Sequence, residues 1–318
     1  MRHVILPELH ATPEGGPASD RRIYKATFAD TSVLYYRVVT VPVLILGGTQ
    51  LHDIKIGLVS RCVAPKTSPA FRPRGMLGTS ITEKFKSVRP FMKQMRDSGK
   101  ISHTSLTLQI RRLAPLLPVI KGIVSFGDQG SLELTAHGSY ELPISCCHQL
   151  AKSRVTTQAS FASLMYDSQP IFVAKQASSS DLSRSYLTYI DSGCWQIIVP
   201  GGNEIVDNIL EVAGQQMDKA GMAVASMISR EDGEIRLTRQ SAEFLPTLKL
   251  VLGEQGEVPV YIEPEHYLFC YQPHDCSIMI RDEMVPGRGI LGIPFMLAYD
   301  ISVNFDTEKI SMKQKLPS

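Results

Sequence analysis

Asp191-Ser192-Gly193 stands between two apolar runs. Tyr189 and Ile190 lead into it, and Trp195, Ile197, Ile198 and Val199 follow. Short apolar stretches bounded by turn residues read as strands, and Ser-Gly reads as a tight turn between them. Such a turn presents the Asp191 carboxylate for general acid or base work. That chemistry is most effective when two carboxyls share a site. Like charges in contact cannot both ionise, so the pair keeps one proton, one member serving as acid and the other as base. A water held between them is deprotonated on one side while a carbonyl is polarised on the other, and the two groups titrate as a pair.

Other chemistries find less support. Cys194-Trp195 beside Gly193 invites a thiol nucleophile, but no partner histidine stands out: His148, His266 and His274 read as surface or satisfied core side chains. Gly201-Gly202-Asn203 before a helix lacks the lysine and the spacing of a phosphate loop. The six cysteines are Cys62, Cys146, Cys147, Cys194, Cys270 and Cys276, with no CxxC pair, so neither a metal nor a cofactor is expected. Cys270 and Cys276 could close a short disulfide loop or remain two thiols, and Cys146-Cys147 is a vicinal pair. Lys84-Phe85-Lys86 and Lys313-Gln314-Lys315 read as solvated charge.

The elements that must position Asp191 are mainly strands. The chain has 318 residues, enough for two units, with 43% hydrophobic and 20% charged residues, an ordinary globular balance. Net charge is +2, and the basic residues are neither striped nor interleaved with aromatics, which argues against nucleic acid and an anionic membrane surface. The longest apolar run, Val38 to Leu46, is too short to span a bilayer and reads as strand. Met1 to Ser19 has no apolar leader segment. Strands are predicted at Ile23–Phe28, Val33–Val39, Val43–Leu46, Ile54–Val59, Gly122–Phe126, Tyr186–Ile190, Leu248–Leu252, Val258–Ile262 and Ile301–Phe305. Two helices are predicted, one from Pro90 at its first position to a stop at Gly99, the other from an Asn203 N-cap to a stop at Gly214.

In order, the motifs resemble those of the pepsin-like aspartic proteases. Tyr186 to Gly193 is similar to the family's second active-site loop. Gly289-Ile290-Leu291-Gly292 with Phe295, Val303, Asn304, Phe305 and Asp306 resembles its closing segment, and Leu245-Pro246 and Pro264-Glu265-His266-Tyr267 match two segments between. In the front half, Phe28-Ala29-Asp30-Thr31-Ser32 lies where the family has its flap, Gly75-Met76-Leu77-Gly78 resembles Gly-Ile-Leu-Gly, and Ile123 to Gly127 resembles a Val-x-Phe-Gly strand. The resemblance implies an all-β, bilobal fold with a truncated N-terminal lobe at 1–149, carrying a flap-like hairpin, and a C-terminal lobe at 150–318 with the Asp-Ser-Gly loop. It implies aspartic endopeptidase activity on a peptide or protein held in an interlobe cleft, and a secreted or vacuolar/endolysosomal location.

Departures from the pattern fall around the implied site. The family's first Asp loop precedes the flap, yet Met1 to Thr27 contains no Asp-Thr-Gly or Asp-Ser-Gly, so the chain is expected to begin just after it. Phe28 brings no hydroxyl to the flap, Cys194 replaces a hydroxyl that would support the Asp191 carboxylate, and Arg74 and Ile293 replace acidic residues. Thr238 stands at a cysteine position, leaving Cys276 without its usual partner. Ser192 keeps a hydroxyl. With Asp191 as the one catalytic carboxylate, the chain is expected to be an inactive or incomplete homologue. The alternative is a non-catalytic homologue that binds peptides in the retained cleft. Pairing of two Asp191 turns across a homodimer is disfavoured, since each copy brings its own front lobe to that face.

Overall fold

The computed structural model describes residues 22–27, 33–46, 49–63, 90–127, 138–144, 155–173, 185–224, 227–231, 234–254, 256–283 and 286–315. The flap segment Phe28–Ser32, Arg74, the Gly75–Gly78 motif, Cys146 and Cys147 lie outside them. The chain divides into two compact units, Met1–Thr104 and Ser105–Ser318.

In the first unit, β1 (Tyr24–Thr27), β2 (Val33–Leu46) and β3 (Thr49–Val63) form one antiparallel sheet in that order. The two strands predicted at Val33–Val39 and Val43–Leu46 are one. The β-branched run Val38-Val39-Thr40-Val41 carries the pairing up to Pro42, which has no N–H to give. Opposite it Asp53 turns left-handed (φ 54°), and pairing resumes at Val43 with His52. Helix α1 (Phe91–Asp97) buries Phe91, Met92 and Met95. Pro90 is its N-cap rather than its first residue, and Gly99 (φ 66°) ends it as predicted. From α1 the Gln94 side chain closes on the backbone of Lys55 in β3, accepting its N–H at 2.7 Å and donating to its carbonyl at 3.1 Å.

The second unit opens with β4 (Ser105–Arg112), β5 (Ile120–Phe126) and β6 (Ser139–Pro143). β7 (Thr156–Tyr166), β8 (Gln169–Val173), β9 (Tyr186–Ile190) and β10 (Ile197–Val199) follow, then α2 (Gly202–Lys219). Next come β11 (Ile228–Glu231), β12 (Glu234–Leu237), a 3-10 turn at Arg239–Phe244, β13 (Thr247–Leu252) and β14 (Val258–Ile262). After α3 (Pro264–Tyr267) come β15 (Leu268–Gln272), β16 (Asp275–Ile278), β17 (Ile280–Asp282) and β18 (Arg288–Leu291). Helix α4 (Ile293–Ala298) and the hairpin of β19 (Tyr299–Asn304) and β20 (Lys309–Gln314) complete it.

Three sheets result: β5-β4-β19-β20-β6, β11-β12-β16-β15, and β14-β13-β7-β9-β18-β10-β17 with β8 on β7. The boundary expected at 149/150 does not coincide with the division at Thr104/Ser105. β4 pairs with β19 and β6 with β20, so the middle of the chain is fastened to its C-terminal hairpin by contacts that local sequence cannot reveal.

The core lies between the sheets and α2. That helix starts from Gly201, not Asn203, because Gly201 holds the left-handed entry (φ 69°). It also runs through Gly214 to Lys219. A mid-helix glycine costs about 1 kcal/mol. Burying Ile205, Ile209, Leu210, Ala213 and Met217 along one face outweighs this, at roughly 1.5–3 kcal/mol for each large side chain. Lys315, read as solvated, is buried. Its ammonium donates to the carbonyls of Ile110 and Met296 and sits 3.4 Å from the Asp300 carboxylate, which also takes the Arg111 guanidinium. Burial holds the Lys315 pKa down to about 7, against the opposing pull of Asp300.

Candidate functional site

Asp191 follows directly on β9. The sheet around it has an unusual local order: β18 runs between β9 and β10, parallel to the first and antiparallel to the second. The turn 191–196 therefore bridges from one side of β18 to the other, over its C-terminal end. Backbone bonds fix it there. The Asp191 N–H donates to the Leu291 carbonyl at 3.1 Å, and the Cys194 N–H closes the turn on the Asp191 carbonyl at 3.1 Å. From the β18 side, the Ile293 N–H donates to the Cys194 carbonyl at 2.8 Å.

Close packing makes the glycines of this region necessary. A Cβ on Gly292 would stand 2.3 Å from the Gln196 oxygen and 2.4 Å from the Cys194 oxygen. On Gly289 it would enter the Tyr186 ring at 2.4 Å. The segment Gly289-Ile290-Leu291-Gly292 is thus the cradle of the turn.

The carboxylate itself is exposed. Its Oδ1 accepts the Gly193 N–H at 2.8 Å, the local bond that suits Asp at the head of a turn. Among the described residues, that is the hydrogen bond it receives, and no second carboxylate pairs with it. Ser192 and Gly193 are exposed. Cys194 is half-buried and donates its thiol to the Gln196 carbonyl at 3.4 Å rather than to Asp191. Burial and the nearby Asp191 charge push the Cys194 pKa up, partly offset by that bond, which suits an inert thiol. Ile293 is buried at the first position of α4.

A second Asp-Ser-Gly, Asp97-Ser98-Gly99, escapes a reading that looks only ahead of the flap segment. Its structure differs wholly. Asp97 ends α1, Ser98 caps it, and the N–H groups of Gly99 and Lys100 bond back to the carbonyls of Arg96 and Met95. It is a helix stop and not a strand-to-strand turn.

Trp195, the single tryptophan, is 38% exposed on the same turn as Asp191. Its ring meets Phe269 edge to face at 5.9 Å, and the Arg112 guanidinium lies 4.0 Å over the other ring. In the sequence Trp195 reads as part of the apolar run after the turn, and its neighbour Phe269 is too distant in the chain to signal the pairing. The two intermediate motifs meet: Tyr267 is fully buried and its hydroxyl donates to the Pro246 carbonyl at 2.6 Å. Cys276 has a partner after all, a disulfide to Cys270 across the β15–β16 pair. Thr238 adjoins Leu237, the residue opposite Cys276 in β12. His266 is satisfied within the α3 capping box, its Nδ1 accepting the Glu263 N–H. Among the described residues no group of three or more potential ligands gathers to hold a metal, and no helix is long and apolar enough to cross a membrane.

No protein-family model matches the chain, and no curated protein sequence matches it. Among solved structures it is similar to the crystal structure of an aspartic proteinase from Irpex lacteus. The TM-score is 0.60 and the identity 14%, over 94% of this chain and 82% of that one. The largely β architecture, with a few short helices, has the fold of the pepsin-like aspartic proteinases.

Proposed function

We propose that this protein is a homologue of the pepsin-like aspartic endopeptidases that binds extended peptides at the Asp191 turn, and that this 318-residue polypeptide does not hydrolyse them. The observation that carries the reading is the turn 191–196, cradled over β18 with its carboxylate exposed. Among the described residues no second carboxyl stands with Asp191; a single carboxylate can accept a proton from water but lacks an acid twin to polarise the carbonyl, and losing one member of a catalytic unit removes nearly all its rate.

Cys194 supports the loss of catalysis in this reading. Its thiol is committed to the Gln196 carbonyl, so the support that a hydroxyl would give Asp191 is missing. A secreted or vacuolar/endolysosomal location is proposed with it, and the Cys270–Cys276 disulfide suits an oxidising compartment.

Trp195 supplies the test. Extended apolar peptides titrated into the protein should shift its fluorescence saturably, with intact peptide recovered by mass spectrometry. A signal flat across a peptide library, with no cleavage, would contradict peptide binding at this turn.

A further inference from the structure

Asp191 and Trp195 stand on one tight turn, and both are exposed. The bond from the Cys194 N–H to the Asp191 carbonyl closes a β-turn, which keeps the Cα atoms of 191 and 194 within about 7 Å. Trp195 is one residue further, so its Cα lies at most about 11 Å from that of Asp191. The carboxylate is folded across the turn. Its Oδ1 takes the Gly193 N–H, and a Cβ on Gly193 would stand 3.1 Å from that oxygen. Apart from the chain neighbours of Gly193, no other described atom comes within 4 Å of that point, so the space over Gly193 is open beside the carboxylate.

Carboxylate and indole favour the same kind of group. An exposed carboxylate repels anions and gains from a cation, and an indole face is the best aromatic partner for one. Trp195 is fixed by its edge-to-face contact with Phe269, whose ring already carries the Arg112 guanidinium. The Arg112 charge opposes a second cation, but its N–H groups are turned onto the carbonyls of Leu117, His266 and Leu268. A guanidinium suits the turn better than an ammonium. Its planar fork donates to a carboxylate while its face stacks on a ring, whereas an ammonium is a point charge.

We propose that the Asp191 turn selects an arginine side chain of the bound peptide, its guanidinium donating to the Asp191 carboxylate and stacking on Trp195. This rests on the reading that peptides bind at the turn, and adds which side chain is read there. Asp191 and Trp195 are then specificity-determining residues.

Isothermal titration calorimetry tests this without a reporter on the turn. One extended apolar peptide is made in four versions, with arginine, citrulline, lysine or glutamate at its centre. Citrulline keeps the shape of arginine and loses the charge. The arginine peptide should bind roughly three- to thirty-fold more tightly than the citrulline peptide, with lysine between them and glutamate weakest. In Asp191→Asn an amide oxygen can still take the Gly193 N–H, and the arginine-to-citrulline ratio should fall roughly two- to fivefold. Trp195→Leu should lower the same ratio by a similar factor, with circular dichroism confirming the fold of both variants. A ratio read within each variant is insensitive to a change in overall affinity. Equal binding of the arginine and citrulline peptides would overturn the proposal and leave peptide binding standing, and binding of no peptide would overturn both. An arginine preference unchanged in both variants would also overturn it, by placing the cation elsewhere.

Discussion

Gly292 lies against Cys194 so closely that a methyl group at Gly292 would stand 2.4 Å from the Cys194 carbonyl oxygen. The contact is backbone to side-chain position, so no rotamer can relieve it. Gly292→Ala should therefore destabilise the protein by about 2–4 kcal/mol and displace the Asp191 turn. Gly214→Ala is the contrast. Nothing lies within 4 Å of its Cβ position in α2, and it should stabilise by about 0.5–1 kcal/mol. Urea denaturation of the two variants measures both.

These two glycines also show what the sequence could and could not tell. Gly292 sat in a recognisable motif, and its role followed from that motif's likeness to a family. Gly214 reads as a helix stop in the sequence because propensity is local, whereas Val212, Ala213 and Met217 hold the helix together through the core. Lys315 looked solvated for the same reason: its carbonyl partners, Ile110 and Met296, are brought to it by the sheet. Asp191 was legible because a whole strand-turn-strand signal surrounds it. Asp97-Ser98-Gly99 has the same letters on a helix, where only the preceding Phe91, Met92 and Met95 spacing tells the difference.

Tyr267 ties the Pro-x-x-Tyr segment to the Leu-Pro strand through its bond to the Pro246 carbonyl. Tyr267→Phe keeps the ring and leaves that carbonyl without its donor. A loss of about 1–2 kcal/mol is expected by thermal or chemical denaturation.

The Cys270–Cys276 disulfide closes a loop of sequence separation 6. Restricting so short a loop in the unfolded chain is worth about 2 kcal/mol. Cys270→Ser with Cys276→Ser should lower stability by that amount and remove this bond's share of the difference between reduced and non-reduced protein.

His266 gives an acid-side signature. Burial, then the charges of Arg112 and Lys315, hold its pKa down to about 3 from an ordinary 6.5, while Glu265 lies 3.5 Å from its Nε2. Between those values the unfolded chain takes up a proton that the folded one refuses. Stability is thus full above pH 6.5 and falls as pH drops toward 3, by roughly 3–5 kcal/mol from this group. His266→Gln should flatten that part of the urea-midpoint profile. An unchanged slope would remove His266 from the account of acid sensitivity.

The most direct test is hydrolysis of a fluorogenic peptide at acidic pH, with folding verified by circular dichroism at that pH, for the native chain and for Asp191→Asn. The proposed reading, in which Asp191 acts without a paired acid, predicts no turnover above background in either protein. Pepstatin-sensitive turnover by the native chain, abolished in Asp191→Asn, would mean that a second acid joins Asp191 and would contradict the central claim.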